Sequence, residues 1–126
     1  MPLAPDSITF HDGYIEVVLQ GVSAGLHTHY RDIHEQIFAA SLKYNCGLIL
    51  LDASRVEHQP NVLLEHQTAV DLAARCSNHP FCVRVAAISP ANALQVNEHL
   101  ETAARNRGAN VKVFWNRDEA VAWLLA

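Results

Sequence analysis

The chain has 126 residues, half of them hydrophobic, and carries 13 acidic against 9 basic side chains, a formal charge of −4 with its eight histidines neutral. That is one domain's worth of chain, 1–126, enough to bury a core without disulfide or metal staples. Only two of the bases are lysines, Lys43 and Lys112, so an electrostatic nucleic-acid binder and a polybasic membrane anchor are both excluded.

Ile8 to His11 reads as a short strand, and Tyr14 to Gln20 as a second one. Asp12 and Gly13 between them are a strong hairpin signal. Gly21 is read as the end of the second strand. From Ala24 to Tyr44 the period changes. Leu26, Tyr30, Ile33, Ile37, Ala40 and Tyr44 recur at steps of three and four, one stripe of an amphipathic helix. Gly47 stands just past it, where a helix end favours glycine.

Leu48 to Leu51 is an unbroken apolar run ending at Asp52, as in a parallel strand covered on both faces. A second helix is predicted over 60–77, with Pro60 in its first turn. Val83 to Ile88 is the next buried strand. Ser89 is read as the N-cap and Pro90 as the first residue of a third helix. Its inner face is Ala93, Val96, Leu100, Ala103 and Ala104, and Gly108 closes it. Val111 to Trp115 is the last strand. Asn116 followed by Glu119 opens the final helix in the manner of a capping box. A hairpin followed by alternating helices and strands implies an α/β fold with a mixed, mostly parallel sheet.

In such sheets ligands collect at the carboxyl ends of the strands. Three loops reach that edge, and each leads to a helix N-terminus that favours an anion. The longest and most polar runs from Asp52 to Gln59. The candidate ligand-binding residues are Asp52, Ser54, Arg55 and His58 on that loop, Ser89 on the second and Asn116 on the third. Ser89 and Asn116 are also explained as caps, and Asp52 as a local turn former.

The three cysteines, Cys46, Cys76 and Cys82, form no Cys-x-x-Cys pair and read as reduced core thiols of a cytoplasmic protein. The first residues show no secretory signal, and no apolar run approaches a membrane span. His27, His29 and His34 fall on one helix. His27 and His29 would point about 200° apart, and His27 and His34 lie about 10 Å apart along it, so neither pair closes on one ion. His66 reads as a packed core histidine. No P-loop, Gly-x-Ser-x-Gly or His-Glu-x-x-His is present. The expectation is a non-enzyme with neither cofactor nor metal.

The stretches Arg84 to Pro90, Glu101 to Gly108, Val113-Phe114 and Glu119 to Leu124, with the order of elements, resemble small bacterial SpoIIAA-like proteins of the STAS superfamily. The resemblance implies a four- to five-stranded sheet with helices packed on it, and a non-catalytic binding or regulatory module. Anti-sigma antagonists of that superfamily carry a phosphorylated serine in Asp-Ser-Ser-Gly at the start of the helix after the third strand. Here Pro60, Asn61, Val62 and Leu63 stand there, so that switch is not carried over. Single-domain relatives similar to lipid carriers suggest a small amphiphilic ligand or peripheral membrane contact, and the helix N-termini allow an anionic one. The ligand is expected between the first two helices and the Asp52–Gln59 loop, beside Leu63 and Val70. The alternative is a protein-interaction or homodimer module without ligand, using an apolar patch at Phe38 and Leu42. A small hydrolase or metal-binding protein, the third reading, needs a serine and a histidine within hydrogen-bond reach or a convergent His/Asp cluster.

Overall fold

The computed structural model describes residues 3–23, 27–58, 62–90 and 94–126, leaving aside the side chains of residues 23, 27–29, 58, 62, 94–97 and 99. The described elements, in chain order, are β1 (Ala4–His11), β2 (Tyr14–Ser23), α1 (His27–Tyr44), β3 (Leu48–Asp52), β4 (Val56–His58), α2 (Val62–Asn78), β5 (Arg84–Ile88), α3 (Leu94–Arg105), β6 (Asn110–Phe114) and α4 (Arg117–Leu125). The sheet runs β1-β2-β3-β5-β6, with β4 pairing β2 beyond β3. Only the β1–β2 hairpin is antiparallel. It turns at Asp12-Gly13, where Gly13 takes φ +95°.

The pleat divides the core. Ile15, Val17, Ile49, Val85 and Val111 face α1, α2 and α3 together with Ile33, Ile37, Ala69 and Leu72. Tyr14, Leu50, Ala86 and Phe114 face the opposite way, onto Ala120 and Leu124 of α4. Successive strand residues alternate faces, and here both faces are covered, which is why Leu48 to Leu51 shows no polar alternation. The apolar stripe of α1 is buried or half-buried from Tyr30 through Tyr44. Leu26 and Ala93 lie outside the described residues.

Two connections differ from the sequence reading. β2 does not end at Gly21. Its residues Ile15–Val18 pair β3, and Gly21–Ser23 then pair Val56–His58. One more residue lies between Asp52 and Val56 than between Val18 and Gly21. A turn absorbs it. The Asp52 carboxylate accepts from the Ser54 amide at 3.0 Å and from its hydroxyl at 2.6 Å, and the Val56 amide donates to the Ala53 carbonyl at 3.1 Å. Gly21 at φ +106° supplies a bend on the β2 side. The polar stretch after Asp52 is thus a turn and a short strand, not one long loop.

Helix ends supply the second difference. Asn45, not Gly47, takes the left-handed position after α1, at φ +51°. The Cys46 amide reaches back to the Ser41 carbonyl and the Asn45 amide to that of Leu42, the paired bonds of a Schellman end. Gly47 is small for another reason: a Cβ there would sit 2.2 Å from the Cys82 carbonyl oxygen. Gly108, at φ +87°, does close α3 as expected. β1 also begins four residues before Ile8, at Ala4.

Candidate functional site

α4 is fixed at both ends by side chains of the sheet. Asn116 accepts from the amides of Asp118 and Glu119 at 2.7 and 3.3 Å, as its cap role requires. Arg117 donates to Glu16 at 3.0 Å and to the Tyr14 hydroxyl at 3.1 Å. At the far end Arg84 stacks on Trp123 and donates to the carbonyls of Trp123 and Leu124 at 2.7 and 3.2 Å. A cation there answers both the unpaired carbonyls and the helix dipole. This face is built for packing.

The other face leaves room. A cavity of about 100 Å³ opens at the carboxyl ends of the strands. Leu51, Ala53, Val56, Ala87, Ile88 and Pro90 form its floor, Leu3 and Leu19 one flank, and α1, α2 and α3 its walls. Among the described residues four lining side chains are polar: Tyr30 and His34 from α1, Glu65 and Thr68 from α2. Thr68 donates to the Leu64 carbonyl at 2.7 Å, an ordinary way for a helix to accommodate a buried hydroxyl.

His34 is buried and its Nδ1 lies 2.6 Å from Asp71. Arg75 donates to the same oxygen at 2.9 Å and sits 3.6 Å from Glu35. Burial alone would raise the Asp71 pKa, but the His34 and Arg75 hydrogen bonds outweigh it and hold the carboxyl below its ordinary range. An ionised Asp71 can only accept, so Nδ1 of His34 carries the proton.

The residues singled out from sequence fall elsewhere. Leu51 lines the cavity, so Asp52, next along the strand, turns away from it. Ser54 bonds Asp52, and Arg55 is exposed. The side chain of His58 lies outside the described residues, as do those of His27, His29 and Val96. Ser89 is buried, with its hydroxyl donating to the Pro90 carbonyl at 3.0 Å. Pro90 is not helical, and α3 is described from Leu94; residues 91–93, whose amides a cap at Ser89 would serve, lie outside the described residues. Pro60 and Asn61 lie outside the described residues. Asn116 stays at the foot of α4, capping it.

Several burial expectations are also corrected. His66 is exposed, because it lies off the inward stripe of Leu64, Thr68 and Leu72. Leu63 and Val70 likewise face out, at 66% and 38% exposure. Phe38 is buried and only Leu42 is exposed, so that pair makes no patch. Cys82 is exposed rather than in the core; Cys76 is half-buried, and burial pushes its thiol up to about 11. Among the described residues no group of three His, Cys, Asp or Glu side chains could hold a metal ion.

A serine–histidine pair does exist, but in the wrong place for hydrolysis. Ser41 is fully buried and gives its one proton to the Cys46 carbonyl at 2.6 Å. His79, 3.0 Å away, must then donate Nε2–H to the Ser41 oxygen. It cannot also act as base toward that hydroxyl. Phe38 and Phe81 pack edge-on against the ring, and burial lowers its pKa.

No family model matches the chain, and no curated protein does. Among solved structures it is similar to an uncharacterised DUF3478-family protein from Shewanella loihica PV-4 with a SpoIIAA-like fold. That likeness has a TM-score of 0.57, covers 97% of this chain and 93% of the other, and carries 19% identity. The fold is SpoIIAA-like. The resemblance carried by Arg84 to Leu124 therefore holds at the level of architecture, hairpin included. In this SpoIIAA-like domain no described helix is long and apolar enough to cross a membrane.

Proposed function

We propose that the domain is a non-catalytic binding module whose ligand is a small amphiphile, seated between α1, α2 and α3 at the strand ends. The cavity carries this reading. Among the described residues its lining is mostly aliphatic, with the polar groups gathered on two helices, the division an amphiphile matches. Size limits the guest. An apolar cavity of about 150 Å³ holds benzene, so about 100 Å³ admits a short aliphatic or small-ring fragment and not a full acyl chain. The Ser41–His79 pair, its serine buried and with the hydroxyl proton committed to a carbonyl, supports the non-catalytic reading.

The test is a heteronuclear NMR titration with short-chain alcohols, amines and carboxylates, beside native mass spectrometry of protein taken from cells. Saturable shifts at Ile33, Leu51, Thr68 and Ala87 are expected, and Ala87→Leu, which fills the space, removes them. If no probe saturates and nothing copurifies, the reading falls.

A further inference from the structure

The sheet is finished differently at β1 and at β6. On the outer side of β6, Arg105 of α3 donates to the Val111 carbonyl at 2.7 Å, and Glu101 accepts from the Val113 amide at 3.4 Å. These two side chains lie 3.7 Å apart, and they occupy backbone groups that another strand would need. Among the described residues no side chain does the same for β1.

The hairpin fixes which groups of β1 face outward. Its two-residue turn makes His11 and Tyr14 a hydrogen-bonded pair, and Thr9 opposite Glu16 the next one. The alternate residues, Ile8 and Phe10, turn their N–H and C=O to the open side. Phe10 is 45% exposed there, with its ring stacked on Tyr44 at 4.9 Å. Before Ile8 the register shifts between Pro5 and Ser7, and Pro5 has no N–H to offer. The open stretch is therefore short, and an exposed carboxylate stands at either end, Asp6 and Asp12. Neither enters an ion pair among the described residues. Every aspartate, glutamate, lysine and arginine of the chain is described. β1 and its turn hold no lysine or arginine. Lys43 stands over the Tyr44 ring at 5.2 Å, and His11 is engaged by Glu16 at 2.9 Å.

We propose that the Ile8–Phe10 edge takes up an extended segment of a partner protein as an added strand, with aliphatic residues opposite Ile8 and Phe10 and a lysine or arginine at each end. Main-chain bonds to the outward groups hold it. An aliphatic side chain opposite Phe10 covers the exposed ring, and the basic ends answer Asp6 and Asp12. A second copy fits badly. Self-pairing about Thr9 sets Asp6 of one copy against Asp12 of the other, and the neighbouring registers set a carboxylate against Phe10 or Ile8. The same two acids thus exclude the chain itself and select a basic partner. Among the described residues the cavity lining includes none of β1, so its occupancy plays no part.

The probe is a capped peptide, Lys-Lys-Thr-Val-Thr-Val-Thr-Lys-Lys, titrated into the intact protein at pH 7 and followed by NMR. Saturable shifts are expected at the Ile8 and Phe10 amides. The same peptide with glutamates for lysines is expected to bind at least about fivefold more weakly. In an Asp6→Asn, Asp12→Asn double variant most of that difference disappears. N-methylation of both valines, which removes the donors facing the edge, abolishes binding. Equal binding of the acidic or the N-methylated peptide overturns the proposal, as does silence from the basic one. Concentration-dependent shifts at Ile8 and Phe10 without peptide, with a dimer in sedimentation, make a second copy the occupant and overturn it as well.

Discussion

Arg84 does several jobs at one position, and its loss separates them. Arg84→Ala removes the stack on Trp123 and the donors to the Trp123 and Leu124 carbonyls. A loss of about 2 kcal/mol in urea unfolding is expected. Arg84→Lys is expected to recover only part of it, since an ammonium cannot reproduce the planar fork. The two glycines after helices make a second contrast. Gly108→Ala meets nothing within 4 Å and suffers only its φ of +87°, about 1 kcal/mol. Gly47→Ala drives a Cβ into the Cys82 carbonyl and is expected to lose about 2 kcal/mol or more, because backbone must move. Equilibrium unfolding of the two variants side by side checks the order.

Acid sensitivity also belongs to single residues. Asp71 and Glu16 are both held below their ordinary pKa. In each, burial would raise it, and hydrogen bonds outweigh that: His34 and Arg75 for Asp71, His11 and Arg117 for Glu16. A carboxyl depressed in the folded state contributes stability above its unfolded pKa and loses it as pH falls through the folded one. Stability is therefore expected to decline as pH drops below about 4. Asp71→Asn and Glu16→Gln should each flatten that acid limb while lowering stability at pH 7, read from urea midpoints across pH 2 to 7.

Among the elements, α4 is the one whose start the sequence states most openly. Asn116 with Glu119 predicts it, and Asn116→Ala is expected to cost about 1 kcal/mol, measured by thermal unfolding. The α1 stripe and the β3 and β5 runs were legible for the same reason: burial imposes a period that apolar residues must keep. β4 was not legible. Val56 to His58 is too short to show a period and sits among polar turn formers, so only its pairing with β2 reveals it. The cavity lining hid differently. Tyr30, Ile33 and His34 lie in the α1 stripe, and Glu65, Thr68 and Leu72 follow at helical spacing on α2. A polar group inside an apolar stripe was the available signal. Asp52 and Asn116 are more conspicuous in the sequence, yet both turn their side chains to local hydrogen bonds.

At the scale of the molecule, three helices cover one face of the sheet and one covers the other, and the cavity lies where three of them meet the strand ends. Filling that space tests whether it is retained for occupancy rather than stability. Ala87→Leu, in place of a residue on its floor, is expected to raise the midpoint of unfolding, by about 0.5–2 kcal/mol in stability, while abolishing binding of the short alcohol.

β2 has a further meaning. It pairs with β1, β3 and β4 in turn, so most of the sheet is registered against one ten-residue strand. Its hairpin with β1 closes a two-residue loop, the least entropic ring in the chain, whereas every parallel partner must be fetched across a helix or a turn. Refolding should therefore be limited by docking β3 onto a hairpin already formed. Val17→Ala is expected to slow refolding, and Leu124→Ala, on the α4 side, chiefly to quicken unfolding. Stopped-flow chevrons of the two would show the order in which the faces close.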